Sequence, residues 1–147
     1  MPYLADTNIL LRFIAPKDPN HALVRDVIHS LLKGGEEVCY TSQNLAEFWN
    51  VCTRPVTSRS GFGLSIEETD RRAKVVESYF TFLPDSEATH ARWRRLVVDY
   101  GVSGVQVHAR LVAAMLVHGL THILTFNTTD FARYAEITAV HPTAITI

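Results

Sequence analysis

Two stretches decide how the chain is read: Leu4-Ala5-Asp6-Thr7-Asn8 and Ile123-Leu124-Thr125-Phe126-Asn127-Thr128-Thr129-Asp130-Phe131. Each is a short apolar run that gives way to polar residues and a carboxylate. In an open parallel sheet, ligands bind beyond the carboxyl ends of the strands. Acids delivered there from opposite ends of the chain point to one acidic pocket able to hold a metal ion.

The residues between them alternate short apolar runs with longer amphipathic ones. Tyr3–Ala5, Glu37–Thr41, Tyr79–Leu83, Ile123–Phe126 and Ile137–Val140 read as strands, the last at a sheet edge. Asn8–Ile14 reads as one or two apolar helical turns before the break Pro16-Lys17-Asp18-Pro19-Asn20. Helical spacing of Leu23, Val24, Val27, Ile28, Leu31 and Leu32 predicts a helix over His21–Lys33, ended by Gly34-Gly35. Ser42 is a candidate N-cap for a helix over Gln43–Thr53, which stops before Pro55. Ser65 with Glu68, and Ser103 with Gln106, have capping-box spacing and open helices toward Ser78 and His118. Ser86 caps a further helix that Gly101 ends. Strands separated by helices indicate an α/β fold on a parallel sheet. No repeat or linker divides the 147 residues, so a single domain over 1–147 is expected.

Composition narrows the class without naming a partner. Hydrophobic content of 47% with 20% charged residues is ordinary for a soluble globular protein. No apolar run approaches the roughly 20 residues that span a bilayer. Met1-Pro2-Tyr3-Leu4-Ala5-Asp6 lacks a basic region and reaches an acid too early for a signal peptide, so a cytoplasmic location off the membrane is expected. Cys39 and Cys52 have no metal-like spacing and read as reduced core thiols. The net charge of −1 gives no global pull toward nucleic acid. Two local basic groups, Arg54, Arg59, Arg71, Arg72 and Lys74, then Arg92, Arg94 and Arg95, could contact phosphates, though a solvated helix face is their ordinary role.

Each acid also has a plain structural role open to it. Asp6 fits a helix N-cap as well as a ligand, Glu47 a solvated helix face, and Asp130 a turn. What unites them is hard-cation chemistry. Mg2+ and Mn2+ take oxygen ligands, bind phosphate oxygens and generate a hydroxide nucleophile. An acidic pocket without a cation repels a phosphodiester. A phosphoacceptor receiver domain also gathers acids at strand ends, but the only lysines are Lys17, Lys33 and Lys74, none after a late strand.

Five segments in order carry a family resemblance: Leu4–Leu11 (LADTNILL), Thr41–Val51 (TSQNLAEFWNV), Gly63–Asp70 (GLSIEETD), Gly101–Met115 and Leu124–Phe131 (LTFNTTDF). The chain resembles PIN-domain proteins, especially the VapC-type toxins of bacterial toxin–antitoxin pairs. The resemblance implies a three-layer α/β/α sandwich on a parallel sheet and Mg2+- or Mn2+-dependent endoribonuclease activity. The family's acids fall on Asp6, Glu47 and Asp130, expected to be catalytic and to hold the metal. Thr7, Asn8, Thr125 and Asn127 are expected to support the metal site or position substrate. An RNA substrate, a homodimer and a cognate antitoxin that inserts a segment near the acidic groove are likewise implied.

One departure qualifies this. Family members usually carry His-Asp-Ala-Arg-Leu at the start of the late helix, whereas this chain reads Val107-His108-Ala109-Arg110-Leu111. Three accounts are open: loss of the acid together with cleavage, an omitted or modified residue, or compensation by another group. The intact flanks favour the second, and Asp99, at the end of the preceding helix, is a poor substitute. The first account describes a PIN-like module that binds RNA or protein without cutting. His108 reads as a histidine with a local hydrogen bond rather than a ligand, and Arg110 as solvated or salt-bridged.

Overall fold

Apolar runs this short and this continuous must be covered on both faces, as in a parallel sheet between helical layers. The computed structural model describes residues 1–147 and shows five parallel strands, β1 (Tyr3–Ala5), β2 (Val38–Thr41), β3 (Thr81–Leu83), β4 (His122–Leu124) and β5 (Thr138–Val140). Their order in the sheet is β3-β2-β1-β4-β5, with β5 at an edge as expected. Six helices cover it: α1 (Thr7–Phe13), α2 (His21–Lys33), α3 (Ser42–Thr53), α4 (Ile66–Tyr79), α5 (Glu87–Asp99) and α6 (Val107–Val117).

Successive strand residues point to opposite faces, and the two cores divide accordingly. Tyr3, Ala5, Val38, Tyr40 and Leu124 pack with α1 to α4, around the fully buried Ile9, Val24, Val27 and Phe48. Leu4, Cys39 and Ile123 face the other way, against Leu96 of α5 and Leu111, Val112 and Met115 of α6. The result is the expected α/β/α sandwich. Cys39 and Cys52 are buried free thiols, and burial pushes both up to about 11, as inert core residues require.

The strand order positions the site. β1 is central and pairs with β2 on one side and β4 on the other. The chain therefore winds outward from β1 in both directions, and the crevice of such a sheet opens where the order reverses, at the carboxyl ends of β1 and β4. The backbone N–H of Asp6 donates to Leu124 O at 2.9 Å, fastening the two ends together.

Among the element boundaries that differ from the sequence expectation, β3 starts at Thr81 because Tyr79 ends α4, and three others bear on the site. The N-cap of α3 is Thr41, not Ser42, because Asn44 completes a reciprocal capping box with Thr41, while Ser42 donates to Asp85 instead. The helix α6 begins at Val107 rather than near Ser103, since Gly104 at φ +81 breaks the helical path and Gln106 caps without a side-chain bond. β4 ends at Leu124, two residues before the apolar run does, and Asp130 lies in a 3-10 turn over Thr128–Phe131.

Asn44 joins the cap to the sheet's centre. Fully buried, it accepts from Thr41 N at 2.9 Å and from the Thr41 hydroxyl at 2.9 Å, and its amide donates to Thr7 Oγ1 at 3.2 Å. Replacing Asn44 with Ala removes a cap and orphans buried partners, a loss of about 2 kcal/mol or more. Urea unfolding followed by far-UV circular dichroism should show a lower midpoint with an unchanged slope. An unchanged midpoint would mean the cap is dispensable.

Candidate active site

Asp6 takes the cap role with one carboxylate oxygen and turns the other toward β4. It is the N-cap of α1, with Oδ1 accepting from Thr7 N at 2.8 Å. Oδ2 accepts from the Thr125 hydroxyl at 2.7 Å and from Asn8 Nδ2 at 3.3 Å. Asn8 Oδ1 in turn accepts from Phe126 N at 3.4 Å, and Asn127 N donates to Thr125 Oγ1 at 3.0 Å. With Asn127 N–H occupying its oxygen, the Thr125 hydroxyl is oriented to give its proton to Asp6. Thr7, Asn8, Thr125 and Asn127, read from the sequence as supporting residues, are thus all wired to Asp6 directly or through Thr125. Burial pushes the Asp6 carboxyl above its usual range, opposed by the Thr125 and Thr7 hydrogen bonds.

Glu47 reaches the same region from α3. Half-buried rather than solvated, it accepts from Gln43 Nε2 at 2.9 Å, one helical turn earlier. Gln43 Nε2 also donates to Val107 O at 3.0 Å, tying α3 to the first residue of α6. The Oε1 of Gln43 is buried without a partner, an acceptor left over for a donor that would enter the cleft. Burial raises the Glu47 carboxyl, with the charge of Asp6 adding to the rise and Gln43 and His108 opposing it.

Asp130 completes the set opposite His108. The His108 Nε2 and Asp130 Oδ2 stand 3.6 Å apart, beyond hydrogen-bond distance. The imidazole packs edge-on against the buried Phe131 ring, with centroids 5.1 Å apart and planes at 63°. The local hydrogen bond expected of His108 is absent, and the ring faces the acids instead. It directly precedes Ala109, the place where the missing carboxylate would stand. Read from the sequence, His108 is a histidine with a local hydrogen bond rather than a ligand, and Gln43 is passed over. The break in the His-Asp-Ala-Arg-Leu pattern was the one available signal for the first, and the one-turn spacing to Glu47 for the second.

The four groups act on one another. Asp130 raises the Asp6 carboxyl and His108 lowers it, while Asp6 raises Glu47. A cation among them would relieve this repulsion. No three His, Cys, Asp or Glu side chains stand close enough to hold a metal unaided, so closure on an ion requires side-chain movement. The donor chemistry fits a divalent ion: three carboxylates, one imidazole and the orphaned Gln43 oxygen. A cavity of about 470 Å3 lies elsewhere, between Pro16, Phe62 and Arg72. The basic run on α4 is mostly paired within its own helix, Arg71 and Arg72 with Glu68 and Lys74 with Asp70, and Arg110 is salt-bridged to Asp85 at 3.3 Å.

The family model described as the PIN domain matches residues 3–137, and the chain belongs to the PIN domain family. Comparison of the sequence with curated proteins gives no match. Among solved structures, the chain is similar to VapBC2 from Rickettsia felis bound to a DNA fragment from its promoter, with TM-score 0.70 and 16% identity, covering 96% of this chain and 98% of that one. It is also similar to FitAcB from Neisseria gonorrhoeae, with TM-score 0.66 and 20% identity, covering 97% and 99%. A third, VapC20 from Mycobacterium tuberculosis, described as a sarcin–ricin loop cleaving toxin, matches with TM-score 0.56 and 16% identity over 82% and 86%. At these identities the likeness is one of fold.

A pH dependence follows from the buried carboxyl. An acid whose folded pKa is raised costs no stability below its unfolded value of 3.8; the penalty grows as pH rises and is full above the folded pKa. With chelator present, Asp6→Asn should therefore melt higher than the parent at neutral pH, and the gap should close as pH falls toward 3.8. Differential scanning calorimetry from pH 4 to pH 8 reads it, and a gap independent of pH would contradict the burial of a charged Asp6.

Proposed function

We propose that the chain is a metal-dependent endoribonuclease, the toxin of a type II toxin–antitoxin pair acting in the cytoplasm. The observation that carries this reading is the convergence of Asp6, Glu47 and Asp130 beyond the ends of β1 and β4. These three carboxylates would hold the ion, Mg2+ or Mn2+ in the family. When bound, the ion supplies an activated water and neutralises charge on an RNA phosphodiester. The chain's own residues prepare the place for it. Thr125, Thr7 and Asn8 aim the Asp6 carboxylate, Gln43 orients Glu47, and the apolar wall at Phe131 keeps His108 turned inward.

The fold neighbours described as toxin–antitoxin complexes, and the one described as a cleaving toxin, support the pairing with an antitoxin and an RNA substrate. A homodimer is part of the same proposal. No helix is long and apolar enough to cross a membrane. The expected outcome of replacing Asp6 with Asn is a fall of at least about 100-fold in cleavage of a total-RNA substrate with Mn2+, with far-UV dichroism unchanged. Parental cleavage by Asp6→Asn would remove the assignment.

A second reading has its own observation, the absent acid before Ala109. On it the chain is a non-cleaving PIN module that binds RNA or a protein partner. It is favoured if no RNA is cut at any Mg2+ or Mn2+ concentration while RNA or antitoxin binding persists.

A further inference from the structure

We propose that His108 stands in for the missing carboxylate as a nitrogen donor to the ion, and that this turns the site from Mg2+ toward Mn2+ and the later first-row divalent ions. The inference rests on the acidic pocket being a metal site and goes on to say which ion it takes.

Position comes first. His108 lies in the first turn of α6, the helix whose first residue is tied to Gln43 of α3 and whose start faces Asp130. Its side chain is about one-quarter exposed, open enough to be reached yet fixed in plane by Phe131. Commitment comes second. Neither the partly buried imidazole nor the exposed Asp130 carboxylate makes a hydrogen bond within the chain, and the two face each other at 3.6 Å. Two donors each about 2.1 Å from a shared ion stand at most about 4.2 Å apart, so this spacing suits co-ligands where it does not suit a hydrogen bond. His21 and His118, by contrast, are both tied to backbone carbonyls at 2.9 Å.

Donor chemistry then selects the ion. Mg2+ takes oxygen ligands almost exclusively and depends on carboxylate charge, whereas imidazole suits the first-row transition ions. Exchanging a fourth carboxylate for His108 removes one negative charge and one oxygen donor. Both changes weaken Mg2+, and the nitrogen compensates only for the others.

Mn2+ serves as the probe, added alone to the purified full chain and followed by electron paramagnetic resonance. Bound Mn2+ should show hyperfine coupling to a directly ligated nitrogen, lost in His108→Gln. In His108→Asp, the Mg2+ concentration that displaces half the Mn2+ should fall at least tenfold. Melting curves without metal establish that both variants fold, and either variant alone decides between a nitrogen and an oxygen donor. Mn2+ bound through oxygen only, with His108→Gln unchanged in spectrum, overturns this inference and leaves the nuclease reading intact. Absence of any bound Mn2+ overturns both.

Discussion

The hydrogen bond from the Thr125 hydroxyl to Asp6 Oδ2, 2.7 Å long and between residues 119 apart in sequence, is the constraint on which the site depends. It joins the carboxyl ends of two adjacent parallel strands at the point where the sheet's winding reverses. A buried carboxylate is costly unless its lone pairs are met. Thr7 N, Asn8 Nδ2 and Thr125 Oγ1 meet them, and Asn127 N fixes the last of these. One acid is thereby held ionisable and oriented with little freedom, while its burial and its neighbours keep it in want of a cation.

From that centre the rest of the arrangement is a matter of delivery. Asn44 connects the Thr41 cap of α3 to Thr7, so the helix that carries Glu47 is registered against the start of α1. Gln43 spans from Glu47 to the first residue of α6, so the helix that carries His108 is registered against α3. Asp6, Glu47 and the start of α6 are positioned by three polar bridges, each satisfied on at least one side by backbone. The leftover Gln43 oxygen and the unengaged pair His108 and Asp130 are the groups that this network does not use.

In our proposal, the absence of an acid before Ala109 alters this site less than it alters the sequence pattern. The chain closes over the junction with α6 intact, and the side chain before Ala109 still points at the acids. What changes is the chemical character of the position, from oxygen anion to nitrogen donor. In our proposal that difference redirects the choice of ion rather than abolishing the site.

The sequence by itself determined the local geometry. Short continuous apolar runs, period-3.6 apolar patterns, a glycine or proline break and caps within one turn are short-range effects, and they located β1, α1, α2 and α5 within a residue or two. It also located Asp6 and Asp130 as acids just past strand ends, since that too is a local reading. The tertiary structure alone decided which distant groups meet. β4 ends early because Thr125 is drawn to Asp6, and α3 caps one residue early because Asn44 answers both Thr41 and Thr7. Gln43 and His108 join the site because strand order and crossovers bring α3 and α6 to the same edge. Spacing along a chain fixes the phase of a helix or strand, whereas convergence of side chains tens of residues apart depends on how those elements stack.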